Sequence, residues 1–145
     1  DRGYLHGEFF IKASGEFFMS EVAARLSGCE APLNHSLSYG FDFLNAIIDT
    51  YIEKTPNMLY TKDRSVGDLL LPVKEGKITK LSSSSELLNL PGVISCNMNY
   101  QVGDIIKVKR SSSFCSGYVQ VEGKSSEEVI SKMRNILENL SVISV

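Results

Sequence analysis

Two glutamates, an arginine and a histidine are the residues in this 145-residue sequence best placed to do chemistry together. Glu8 lies in one strand-like run, Tyr4 to Lys12, and Glu21 in a second, Phe17 to Ala24, both rich in aromatic and β-branched residues. Ser14-Gly15 between them is a turn signal. A two-residue turn there pairs Ala13 with Glu16, Lys12 with Phe17 and Phe10 with Met19. It also sets Glu8 directly opposite Glu21, His6 opposite Ala23 and Tyr4 opposite Arg25. Side chains alternate across a strand. One face then carries Leu5, Phe9, Ile11, Phe18, Val22 and Ala24, and belongs in a core. The other gathers His6, Glu8, Glu21 and Arg25, with Phe10 and Met19 nearer the turn.

Like charges directly opposite each other on a sheet repel. Two such carboxylates are stable together when one is protonated or a cation sits between them. Hard oxygen donors select Mg²⁺ or Mn²⁺, and magnesium keeps positions for water and phosphate oxygens, so two protein carboxylates suffice when the substrate is ATP. Arg25, beyond Glu21 on the same face, has the fork geometry for a phosphate or substrate carboxylate. The same four side chains also fit a plain solvated hairpin face, and a longer turn would slip the register by one residue.

The elements that must hold this hairpin follow. Arg25 to Asn34 reads as loop. Leu37 to Ile52 is a helical pattern, with Leu37, Phe41, Leu44, Ile48, Tyr51 and Ile52 recurring at spacings of three and four, broken by Gly40. Thr55-Pro56-Asn57 interrupts it and marks an expected boundary between residues 1–55 and 56–145. Beyond it, strands are predicted over Val66 to Val73, Lys77 to Leu81, Val93 to Tyr100, Ile105 to Lys109 and Gly117 to Glu122. A short helix is expected over Ser84 to Leu90, with a cap in the Ser82 to Ser85 run. A capped amphipathic helix follows Ser125, and Ser141 to Val145 is a candidate closing strand. Strands and helices do not alternate regularly, which favours an α+β fold with a mixed sheet over a doubly wound one.

Composition narrows the function classes. Hydrophobic residues make up 43% and charged residues 22%, and the formal net charge is −2. That balance gives no field to recruit nucleic acid or an acidic membrane. The short basic run Lys107, Lys109, Arg110 reads as a solvated strand edge, and no apolar stretch is long enough to span a bilayer. Cys29, Cys96 and Cys115 lie far apart without a CxxC pair, and are read as reduced thiols of a cytoplasmic protein. Two distant histidines, His6 and His35, argue against a zinc enzyme. The first residue, Asp1, and an opening that reads like mid-strand point to a piece of a longer or engineered chain.

The run Gly3-Tyr4-Leu5-His6-Gly7-Glu8-Phe9, followed by Glu21-Val22-Ala23-Ala24-Arg25-Leu26-Ser27-Gly28, resembles the end of the ATP-grasp domain of carboxylate–amine ligases. In that superfamily an acidic residue on one strand and a Glu on the next hold the magnesium ions that bridge the ATP phosphates. The second strand usually reads Glu-x-Asn-x-Arg. Here Ala23 stands at the Asn position, as in the branch resembling bacterial L-amino-acid ligases, so the usual third protein ligand is absent. The loop carries a single Gly28 between Ser27 and Cys29. The second half resembles the C-terminal domain of the same branch, through Gly76-Lys77-Ile78, Leu90-Pro91-Gly92-Val93, Gly103-Asp104, Gly117-Tyr118-Val119 and Ser125-Ser126-Glu127-Glu128-Val129.

The resemblance implies a ligase that phosphorylates a carboxylate with ATP and lets an amine attack the acyl phosphate. Glu8 and Glu21 take the metal and ATP role and Arg25 the catalytic role, with His6, Ser27 and Gly28 near the substrate. It further implies a nucleotide-clamping lid and an adenine pocket, which this sequence does not contain, so the chain alone is expected to be inactive. Three alternatives stand beside it: a carboxylase-like ATP-grasp relative, a binding module that keeps the scaffold without catalysis, and an oligomerisation unit whose hairpin edge pairs with another chain in a homodimer.

Overall fold

The computed structural model describes residues 4–57, 59, 61–107, 111 and 114–145. Gly3 of the hairpin motif, and Lys109 and Arg110 of the basic run, lie outside the described residues. The fold is α+β, and it divides into two compact units, Asp1–Thr61 and Lys62–Val145.

The first unit opens with β1 (His6–Ile11) and β2 (Phe17–Ala23), paired antiparallel as a two-stranded ribbon. The loop between them is Ala13-Ser14-Gly15, one residue longer than the two-residue turn expected from the sequence. The Gly15 amide donates to the Lys12 carbonyl at 2.9 Å and the Lys12 amide to the Glu16 carbonyl at 3.0 Å. Gly15 takes φ 85°, the left-handed position that closes a three-residue hairpin loop. Near the turn, Ile11 therefore faces Phe17, Phe10 faces Phe18 and Phe9 faces Met19. The expected pairing of Phe10 with Met19 is corrected, and Phe18 and Met19 exchange faces. A bulge then absorbs Ser20 opposite the Glu8–Phe9 step, and beyond it Glu8 faces Glu21 and His6 faces Ala23.

The apolar face expected in a core is not in one. Leu5 is 69% exposed, Ile11 65% and Phe9 52%, and Phe18 and Val22 are also exposed. A two-stranded ribbon has no third layer to bury its faces. Its base is tied down by Tyr4, whose ring meets that of Phe43 edge-on at 5.7 Å.

Two helices follow in place of one interrupted pattern, α1 (Ala31–Tyr39) and α2 (Phe43–Tyr51). Helix α1 begins inside the stretch expected to be loop, because Pro32 in its first turn suits a helix start. Gly40 ends it at φ 70° with its amide on the Ser36 carbonyl, and the Asp42 side chain caps α2 by accepting from the Asn45 amide.

The second unit holds β3 (Ser65–Leu71), β4 (Gly76–Leu81), α3 (Ser84–Leu88), β5 (Val93–Met98), β6 (Ile105–Ile106), β7 (Gly117–Gly123), α4 (Ser126–Asn139) and β8 (Val142–Ser144). The strands form two three-stranded sheets, ordered β3-β7-β5 and β6-β4-β8, antiparallel at every described pairing. Alternation along the central strand β7 turns Val119 and Val121 to one face, where they meet Leu71, Leu87, Val129 and Ile136 in the core. Both caps expected from the serine clusters are present. The Ser83 hydroxyl accepts from the Glu86 amide in a full capping box, and the Ser125 hydroxyl accepts from the Glu128 amide.

Candidate functional site

The ribbon brings three of the four chemistry-bearing residues into contact and sets the fourth beside them. Arg25 leaves the end of β2 and folds back along it. Its Nη1 donates to the Leu26 carbonyl at 3.1 Å and lies 3.3 Å from Nδ1 of His6 on β1. Its Nη2 lies 3.6 Å from Oε1 of Glu21, with both side chains about half exposed. Glu8 stands across the ladder from Glu21, on the face it shares with His6. Ser27 and Gly28 sit in the bend after Leu26, away from either strand. A Cβ added at Gly28 would meet nothing within 4 Å, so that bend borders open space. Cys29 beside it takes φ 54°.

Two hard carboxylates on one face, with a guanidinium on one of them, fit a magnesium ion that draws its remaining ligands from water and phosphate. Among the described residues, no three His, Cys, Asp or Glu side chains converge as a metal cage. Carboxylate oxygens are hard donors that suit magnesium, whereas structural zinc takes thiolate and imidazole. Arg25 offsets part of the repulsion that Glu8 and Glu21 exert on each other.

The ring contacts that tie the base of the ribbon to the helices were not legible from strand spacing. His35 on α1 stacks on Phe43 at 5.4 Å and on Tyr39 at 6.3 Å, and Phe43 also receives Tyr4. Burial pushes the Tyr4 hydroxyl above its ordinary pKa. The His35–Tyr39 spacing is the one sequence signal, since such residues share a helix face. His35 Nδ1 lies 2.6 Å from the Ala31 carbonyl, so it carries the proton and donates. His6 is the reverse. Arginine has only donors, so Nδ1 of His6 must accept.

No described helix is long and apolar enough to cross a membrane. Among the described residues Cys29, Cys96 and Cys115 are free thiols.

Comparison with known proteins agrees with this architecture. Residues 69–144, more than half of the chain, match the family described as L-amino acid ligase C-terminal domain 2. The L-arginine-specific L-amino acid ligase of Bacillus subtilis is 26% identical over 110 residues, covering 75% of this chain and 27% of that protein. The crystal structure of the L-amino acid ligase from Bacillus licheniformis superposes with a TM-score of 0.79 at 20% identity, over 99% of this chain and 38% of the other. Phosphoribosylglycinamide synthetase from Anaerococcus prevotii gives 0.72 at 15% identity, over 97% of this chain and 37% of the other. The chain thus spans between about a quarter and two-fifths of the length of these relatives. The chain belongs to the family described as L-amino acid ligase C-terminal domain 2.

Proposed function

We propose that the chain supplies the last part of the magnesium–ATP site of a ligase that joins a carboxylate to an amine through an acyl phosphate. The observation that carries this reading is the Glu8–Glu21 pair with Arg25 joined to Glu21 on one ribbon face. Glu8 and Glu21 would hold magnesium, which when bound neutralises phosphate charge. Arg25 orients the anionic oxygens of the carboxylate undergoing phosphorylation and stabilises charge that develops there. Ser27 and Gly28 border the space where an amine would approach. The relative in Bacillus subtilis is named for L-arginine, which supports amino acids as the substrate class. Residues 1–55 act here as the end of the ATP-grasp domain, and 56–145 as a C-terminal domain without chemistry of its own. Free thiols and family membership support a cytoplasmic location.

The test is titration of Mg²⁺ or Mn²⁺, with and without an ATP analogue, followed at the amides of Glu8 and Glu21. Shifts at both that vanish in Glu21→Gln are expected, first in the longer ligase that carries this chain. No shift there overturns the assignment. The 145-residue chain alone is expected to show no ligase turnover, and turnover like that of an intact ligase would contradict this.

A second reading rests on the exposed Leu5, Phe9, Ile11 and Val22: the ribbon pairs with another copy as a homodimer. A strict monomer in size-exclusion chromatography removes it.

A further inference from the structure

We infer that His6 is a positioning residue for Arg25, acting through the lone pair on Nδ1; this rests on the ligase reading of the ribbon face. An arginine side chain has several rotatable bonds, and one that must meet an oxyanion in a fixed pose needs its guanidinium held. Three contacts hold this one. Nη1 reaches both the Leu26 carbonyl at 3.1 Å and His6 Nδ1 at 3.3 Å, and Nη2 faces Glu21 at 3.6 Å. The Leu26 carbonyl is adjacent in sequence and moves with Arg25. Glu21 is needed for metal in the same reading. His6 is therefore the anchor that comes from the other strand.

The chemistry fixes what His6 must be. A guanidinium offers only N–H donors, so the imidazole accepts at Nδ1 and carries its proton on Nε2. Both bonds to Leu26 and His6 fall on Nη1. The Nε–Nη2 edge, suited to bidentate contact with a carboxylate or phosphate, is then turned away from them. His6 itself need not touch the substrate. Its strand position is set by pairing with Ala23, whose small side chain leaves the diagonal toward Arg25 unobstructed.

Nitrogen-15 spectra of the imidazoles in the 145-residue chain, recorded at about pH 8.5 where ordinary imidazoles are uncharged, test the tautomer. The expected result is a proton on Nε2 of His6 and on Nδ1 of His35, with the His6 signal alone moving in Arg25→Gln. A proton on Nδ1 of His6 overturns the inference, because two donors cannot bond. Kinetics in the ligase carrying this chain supply the second readout. His6→Leu is expected to lower kcat about tenfold, the loss of one charge-assisted hydrogen bond, while KM for ATP stays unchanged. His6→Asn places a carbonyl oxygen near the Nδ1 position and is expected to recover most of the rate, whereas His6→Gln, which reaches the Nε2 position instead, is not. Equal losses in His6→Asn and His6→Leu overturn the inference. Failure of the ligase reading shows separately, as absent metal shifts at Glu8 and Glu21 with the His6 tautomer unchanged.

Discussion

Glu8 and Glu21 face each other across the ribbon one step beyond a bulge at Ser20. Their carboxylates share a face without an intervening residue, and among the described residues a cation lies against Glu21 and not against Glu8. Neutralising Glu8 removes repulsion and forfeits no ion pair among the described residues. Glu8→Gln is therefore expected to stabilise the ribbon by about 0.5 kcal/mol at low salt. Glu21→Gln should stabilise less, because it also gives up Arg25. Hydrogen exchange at the ribbon amides, with and without magnesium, checks this. The gain should shrink with salt, and the reverse ranking of the two variants would contradict the argument.

A two-residue loop and an unbroken ladder place Glu8 opposite Glu21; so do a three-residue loop and a bulge. The extra residue at the turn and the extra residue at Ser20 compensate beyond the bulge, but not before it, which is why an unbroken ladder puts Phe18 and Met19 on the wrong faces. Helix caps at Ser83 and Ser125 were legible because their signals are local. The stacking of His35 on Phe43, which in turn meets Tyr4, was not, because it depends on how two helices fold back beside a strand. The exposure of Leu5, Phe9 and Ile11 was equally hidden, since alternation shows which residues share a face and not whether anything covers it.

The core of the second unit should fail through one residue. Ile136 on α4 is fully buried against Leu71, Val119 and Val121. Ile136→Ala removes its contacts and leaves a void in a close-packed interior, at a cost of about 3 kcal/mol. Urea denaturation should show a lower midpoint, whereas the half-exposed neighbour Leu137 should tolerate Ala at well under half that loss.

Acid should weaken α3 through its cap. The Ser83 amide and hydroxyl both donate to Glu86, and these bonds hold its carboxyl below the ordinary value of 4.5. A carboxylate whose folded pKa is depressed stabilises the fold above the unfolded value and loses that contribution as pH falls through the folded one. The stability of the second unit should therefore decline in the acid range below about pH 4.5, and the decline should be shallower in Ser83→Ala. That variant should also cost about 1 kcal/mol at neutral pH through the lost cap.

Thiol labelling should follow burial. Cys29 is exposed, Cys96 half-buried and Cys115 buried. Burial pushes the Cys96 thiol up, only partly offset by a hydrogen bond with Ser84, so less of it is thiolate at a given pH. A maleimide pulse at neutral pH should modify Cys29 first, Cys96 more slowly and Cys115 only on unfolding. Rapid modification of Cys115 in the folded chain would contradict the packing around it.

The bulge at Ser20 also separates the ribbon mechanically into two zones. Toward the base, pairing is tied to Tyr4, Arg25 and the carboxylates. Toward the tip, Lys12 to Glu16 stand in solvent, and a Cβ at Gly15 would touch nothing. Equal additions to both strands beyond the bulge lengthen the tip without changing which residues face each other at the base. The tip is thus a graft point, where a fluorophore or a short epitope can report on this chain while leaving the carboxylate pair where it is.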